Sequence, residues 1–306
     1  MSGPVVECVP NFSEGVDARR VEAIVAAMRV EGAYLLDWSM DADHNRSVVT
    51  IAGEPAAVVE AAVRGAGKAA ELIDLTCQEG VHPRIGAADV IPFVPVSGIK
   101  LEQCVLLARQ AGLEIWRRYA VPVFFYEAAA ARPDRVNLEE VRRGQFEGLR
   151  DAVHKEPARR PDLGDSSLHP TAGACAVGAR KFLVAYNIYF DNADVAMVRA
   201  IAREIRAASG GLKGVKAMGV LAHGRAQLSM NITDFQATPI SQVFRRATEL
   251  AARFNAVPVE GEVIGLIPEA ACERQSEWMR QLSEFDPQTK ILENRLADPL
   301  VWPEQD

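Results

Sequence analysis

The chain has 306 residues, a formal net charge of −7, 49% hydrophobic and 25% charged residues. That composition is globular and soluble, no apolar run reaches the roughly 20 residues needed to span a bilayer, and the acidic balance argues against nucleic acid, whose binders present basic faces. Met1-Ser2-Gly3-Pro4 lacks the basic and apolar regions of a secretory leader, and Cys8, Cys77, Cys104, Cys175 and Cys272 form no Cys-x-x-Cys pair, which argues against a disulfide framework or zinc and for the cytoplasm.

Val5–Pro10 reads as a short buried strand. Asp17 caps a predicted helix from about Ala18 to Met28, with Val21, Ile24, Val25 and Met28 at helical spacing. Tyr34–Trp38 and Ser47–Ala52 read as strands, and Pro55 sits in the first turn of a helix from about Glu54 to Asp74. Asp89–Val96 reads as a strand that Pro92 and Pro95 assign to an edge or a bulge. A helix over Leu101–Tyr119 and a strand over Val121–Tyr126 follow. Residues from about Lys155 to Val177, rich in Pro and Gly, read as a long connection of a kind usually functional or a linker.

The pattern then repeats. Phe182–Tyr189, Val215–Leu221, Ala226–Ile232 and Val257–Gly265 read as strands, with helices over Asp194–Ser209 and Ile240–Phe254 and a hairpin turn at Ala222-His223-Gly224. Each half is β-α-β-β-α-β, the ferredoxin-like split unit. The expected fold is α/β (α+β), two packed ferredoxin-like subdomains over residues 1–178, including the connection, and 179–306, including a tail through Trp278 and Trp302.

Candidate chemistry centres on Gly80-Val81-His82-Pro83-Arg84-Ile85-Gly86. Pro83 disfavours helical geometry at His82, and the glycines allow a sharp turn or a close approach. His82 is thereby a proton-transfer group titrating near neutral pH beside the anion-binding Arg84; the alternative is a loop histidine bonded to a carbonyl. In Asp41-Ala42-Asp43-His44-Asn45-Arg46, His44 reads as a polar substrate contact and Arg46 as a bidentate carboxylate partner, against a solvated turn, a surface ion pair or a metal site. Asp37, at a strand end, reads as a partner for a cationic group or as a turn residue; Asn11 sits at a strand end feeding a loop, and Asn187 is an amide within an apolar strand. His154 reads as a helix-end residue, His169 as solvent-exposed or touching ligand, and Cys175 as a buried inert thiol.

The runs Val6-Glu7-Cys8-Val9-Pro10-Asn11-Phe12-Ser13-Glu14-Gly15, His44-Asn45-Arg46-Ser47-Val48, Val81-His82-Pro83-Arg84 through Pro95, Gly178-Ala179-Arg180-Lys181-Phe182 through Ile188 and Gln227-Leu228-Ser229-Met230-Asn231 together resemble the glutamate formiminotransferases, in order and spacing. The resemblance implies two α/β subdomains with ligand between them. It also implies transfer of a formimino group from N-formimino-L-glutamate to N5 of tetrahydrofolate in histidine breakdown. The matching histidine, His82, is then the acid–base catalyst, and Asn11, Asp37, His44, Arg46, Arg84 and Asn187 are the expected substrate contacts. The resemblance places folate contacts at Leu163, Gly164, Asp165, Ser166, Ser167, Leu168, His169, Pro170, Thr171 and Ala172. It implies tetrahydrofolate as co-substrate, no metal, no nucleic-acid or membrane partner, and a homodimer. Acidic substrates on an acidic chain require local cations, so Arg46, Arg84, Arg180 and Lys181 are expected to converge. Ser39 stands where the family often has an acid, which leaves Asp41 or Asp43 to replace it. A stand-alone form without the cyclodeaminase domain is expected; formyl transfer from 5-formyltetrahydrofolate, or a folate or amino-acid sensor, is the alternative.

Overall fold

Pro10 splits the first apolar run into two short strands, β1 (Val5–Cys8) and β2 (Asn11–Phe12). In the computed structural model, which describes residues 3–222 and 224–304, they belong to a seven-stranded sheet. Strands β3 (Ala33–Asp41) and β4 (Arg46–Gly53) form a hairpin, and β1 and β2 lie in turn between β4 and β5 (Ala88–Ser97), antiparallel to both. The sheet continues from β5 in parallel register to β7 (Cys175–Ala179), which lies between β5 and β6 (Val123–Glu127). Helices α1 (Ala18–Ala27), α2 (Pro55–Leu72) and α3 (Leu101–Tyr119) share a core with one face. Asp17 caps α1 by accepting the Arg19 N–H at 3.0 Å. Short α4 (Leu138–Val141) and α5 (Gln145–Lys155) cover the other face.

Alternation along the strands explains this two-sided cover. Ile91, Phe125 and Val177 are buried with α1–α3, whereas Val90, Phe124 and Ala176 are buried with Val141, Leu149 and Val153 of α4 and α5. Parallel strands are normally buried on both faces, and each large apolar side chain so covered contributes about 1.5–3 kcal/mol.

Three expectations change. First, β5 is bulged opposite Val5 and Val6, but it is an interior strand. Its prolines are tolerated because Pro92 faces the break between β1 and β2, while Pro95 lies beyond Phe93, the last residue paired with β7. Second, the connection over 155–177 is pinned: Leu163 pairs with Val123, His169 with Gly173, and β7 begins at Cys175. Strand β7 carries little sequence signal because Cys175-Ala176-Val177-Gly178-Ala179 is built of small residues; its ladder partners on both sides make it a strand. Third, contacts divide the chain into one unit through Arg180 that regains the chain from Pro299 on, and another of Lys181–Asp298. Leu300 donates its N–H to Leu35 O at 2.8 Å on β3, so the end of the tail belongs with the first unit. An edge strand offers unpaired backbone groups to such a segment.

In the second unit, β8 (Val184–Phe190), β9 (Val215–Ala222), β10 (Arg225–Ile232) and β11 (Pro258–Ile264) form an antiparallel sheet in the order β11-β8-β10-β9. Helices α6 (Val195–Ile205) and α7 (Ile240–Ala252) cover Val184, Tyr186, Ile188 and Phe190 on one face. Trp278 meets Tyr186 edge-on with centroids 5.5 Å apart, which ties much of the predicted tail into this core. His223 lies outside the described residues. No helix among them is long and apolar enough to cross a membrane.

Candidate active site

The end of β2, the start of β4 and the start of β5 meet at one end of the first sheet, where Phe12 pairs with both Ser47 and Ala88. Register therefore gathers Asn11, Arg46 and Asp89, far apart in sequence, around one small recess, and the loop before β5 adds His82. Gly80 and Gly86 serve close approach: a Cβ would stand 2.6 Å from His44 O at Gly80 and 2.0 Å from Ala174 O at Gly86.

The half-buried His82 places Nε2 3.1 Å from Arg46 Nη1. A guanidinium only donates, so Nε2 accepts and the ring is neutral. The ring also bonds to the Pro83 backbone; proline has only a carbonyl to offer, so Nδ1–H donates there. Burial, then Arg46, Arg142 and His44, push the His82 imidazole down to about 2. Rather than titrating near neutrality, His82 is a neutral base. Arg46 Nη2 donates to Asn11 Oδ1, and Asn11 Nδ2 is anchored on Val9 O at 2.9 Å. Arg46 Nε is buried with no hydrogen-bond partner among the described residues. Burial and Arg142 lower Arg46 to about 10, against Asp89 and Asp41.

Two further ties were not legible in the sequence. Asn45 accepts the Gly15 N–H at 2.9 Å and donates to Glu79 O at 2.6 Å, while Gln78 donates to Asn45 O at 3.0 Å. The turn carrying His44 and Arg46 is thereby joined to the loop carrying His82. Asp89, 3% exposed, accepts the Ile85 N–H at 2.7 Å and pairs with Arg142. The only sequence signals were an acid one residue into a strand and amide side chains in loops.

The linkage of His82 to pH has a definite sign. Its folded value, near 2, lies below the ordinary histidine value of about 6.5. The unfolded chain therefore binds a proton that the folded one refuses. This contribution is fully present above about pH 6.5 and is lost as pH falls toward about 2. His82→Gln is expected to flatten the acid side of a stability–pH curve; denaturant melts from about pH 7 to 4 that match wild type would contradict it.

A model of the formiminotransferase domain, N-terminal subdomain, matches residues 5–180, and one of the formiminotransferase domain matches residues 185–286. The chain belongs to the formiminotransferase family. It is 43% identical over 295 residues to the glutamate formimidoyltransferase of Streptococcus pyogenes serotype M1, covering 95% of this chain and 98% of that one. Against the glutamate formimidoyltransferase of Thermoplasma acidophilum the identity is 42%, covering 95% and 97%. The mouse formimidoyltransferase-cyclodeaminase is 36% identical, matched over 96% of this chain and 60% of its own length.

Of the contacts expected in this formiminotransferase, Asn11, His44, Arg46, His82 and Arg84 all line the recess. His44 sits with Nδ1 3.1 Å from Asp41 Oδ1 and its ring centroid 6.3 Å from that of His82. Asp41 thus stands beside His44, while position 39 is serine. Among the described residues no group of three or more His, Cys, Asp or Glu is placed to hold a metal ion.

Arg84 departs from expectation. It is 8% exposed and its guanidinium spans Glu147 at 2.8 and 3.0 Å, Gln78 Oε1 at 2.7 Å and Gln78 O at 3.0 Å. These bonds tie the loop to α5. Arg84→Ala is expected to lose about 1–3 kcal/mol of stability, against within about 0.5 for the exposed Arg203→Ala. Urea unfolding decides it; equal stabilities with weakened substrate binding would return Arg84 to a binding role.

The other expected residues belong to other elements. Asp37 is mid-strand on β3, opposite Thr50 beside a bulge rather than at a strand end, and does not line the recess. Arg180 does not line the recess, and Lys181, in the second unit, pairs with Asp234 at 2.7 Å. Asn187 lies on β8, where its amide meets Glu262 at 3.3 Å. In the loop from Leu163 to Ala172, residues 164–167 are exposed, Ala87 donates to Ala172 O, and His169 Nδ1 accepts the Ala172 N–H at 3.0 Å. His154 lies in the last turn of α5, and burial raises the Cys175 thiol well above its usual range.

Proposed function

We infer that this chain is a glutamate formimidoyltransferase that moves the formimino group of N-formimino-L-glutamate to N5 of tetrahydrofolate. Near-full-length identity to two glutamate formimidoyltransferases carries this conclusion. The recess supports roles for individual residues. N5 attacks the amidine carbon; the N5–C bond forms as the C=N electron pair moves to nitrogen. His82 Nε2 takes the N5 proton and returns it to the glutamate nitrogen as the C=N bond re-forms from the pair on the imino nitrogen and the C–N bond to glutamate breaks with its own pair. One positioned base thus serves both proton transfers, and holding two substrates together supplies much of the rest.

Arg46, with Asn11 fixing one arm, is the carboxylate partner, and His44 is a polar contact beside it. Exposed Gly164, Asp165, Ser166 and Ser167, on a loop pinned at both ends, form the folate-contacting stretch, with tetrahydrofolate as co-substrate. We also assign the β11-β8-β10-β9 order, and the equivalent β3-β4-β1/β2-β5 portion of the first sheet, to the ferredoxin-like class. The test is turnover with formiminoglutamate and tetrahydrofolate under extensive chelation, against a formyl donor at equal concentration. Formation of 5-formiminotetrahydrofolate and glutamate is expected; activity only with the formyl donor, or only after a divalent ion is restored, would overturn this reading.

A further inference from the structure

Arg46 makes an unusual pair of commitments for a buried guanidinium. Its Nη1 meets the lone pair of His82 and its Nη2 the oxygen of Asn11, both neutral acceptors, while buried Nε has no hydrogen-bond partner among the described residues. A buried guanidinium is best satisfied by a carboxylate, which takes two parallel bonds from it. The lone pair that Arg46 occupies is the one that the proposed function gives to the N5 proton.

We propose that Arg46 is a substrate-operated latch on His82: a carboxylate of the bound ligand takes the guanidinium and thereby releases Nε2 to accept a proton. The inference rests on the base role given to His82 above. The bond to Arg46 keeps Nε2 occupied. A carboxylate arriving at Nε and an Nη draws the donor away and cancels its charge, so the base becomes available only beside an acidic substrate. Recognition of the carboxylate and availability of the base are then one event, and a donor of the same skeleton without carboxylates binds weakly and finds His82 unreleased. No atom changes covalent partner in this step; one hydrogen bond is exchanged for an ion pair.

The neighbouring side chains remain tied: Arg142 from the end of α4 is paired with Asp89 on β5, and His44 from the β3–β4 turn is held by Asp41. Arg46 is left as the exchangeable group. The carboxylate is that of a glutamate unit, and both substrates carry one: the amino-acid donor and the tail of the folate.

Nitrogen NMR of enzyme labelled in histidine tests this, with the His82 signal assigned by its loss in His82→Gln. In free wild type the signal should stay that of a neutral, hydrogen-bonded ring from about pH 8 to 5. Saturating L-glutamate or tetrahydrofolate, added separately, should make it titrate toward the ordinary histidine value of about 6.5; whichever does so identifies the source of the carboxylate. The bis-amide of glutamate should have no effect. In Arg46→Ala, or in Arg46→Gln if the first does not fold, His82 should take up its proton at a higher pH than in wild type without ligand, although burial still holds the ring below its ordinary value. A His82 signal that ignores both glutamate and tetrahydrofolate, or that responds equally to the bis-amide, overturns the latch. Catalytic competence is measured on the same preparation, so an active enzyme with an unresponsive His82 defeats the latch alone. A responsive His82 without formimino transfer defeats the functional reading alone.

Discussion

Replacing His82 with alanine is expected to lower kcat by about 10²- to 10⁴-fold, the usual contribution of a positioned acid–base group. The magnitude follows from the absence of a substitute at the same place. His44 lies with its ring centroid 6.3 Å away and is held to Asp41, so it does not reach the lone-pair position of His82. Folate affinity should change far less than kcat, because the loop backbone is fixed independently: Ser13 Oγ donates to Gly86 O at 2.7 Å, and Ile85 N–H is held by Asp89. Steady-state kinetics with both substrates varied, alongside a melting curve to show that the variant is folded, decide the matter. A folded His82→Ala enzyme with near-normal turnover would remove His82 from the reaction.

Arg46→Ala is expected to act chiefly on affinity. Removing one side of a desolvated carboxylate clamp costs about 2–5 kcal/mol, a rise in KM for formiminoglutamate of about 30-fold to several thousand-fold at 1.4 kcal/mol per decade. Burial makes the site sensitive to this loss, since bulk water screens the guanidinium little. Arg203→Ala, on the exposed side of α6, is the reference and should leave KM unchanged. Equal KM values for Arg46→Ala and wild type would place the substrate carboxylates elsewhere. A large fall in kcat at saturating substrate with unchanged KM would make Arg46 part of the chemical step instead.

The two cations that looked equivalent in the sequence show where sequence reasoning stops. Arg46 and Arg84 both flank a candidate histidine in polar loops, and both were read as carboxylate partners. Arg84 is taken up by Glu147, 63 residues further on, while the guanidinium of Arg46 donates to the neutral Asn11 and His82. No local pattern separates the two, because the choice of partner is made across the fold. His82 shows the same boundary. Its place in a non-helical loop followed from Pro83, a nearest-neighbour steric effect, but its protonation state did not. That depends on burial and on Arg46 and Arg142, which come from β4 and the end of α4.

Short-range periodicity and turn chemistry made a definite set of features readable from the residues alone. These include the succession of strands and helices in each half, the Asp17 cap, the Leu101–Tyr119 helix, and the grouping of His44 with Arg46 and of His82 with Arg84. Long-range packing set the interior place of β5 despite its prolines and the insertion of β7 between β5 and β6. The same is true of the return of Leu300 to β3, the bracing role of Arg84 and the neutrality of His82. Hydrophobic period and proline geometry act over a few residues, whereas ladder pairing, ion pairing and desolvation depend on which segments the packed core brings together.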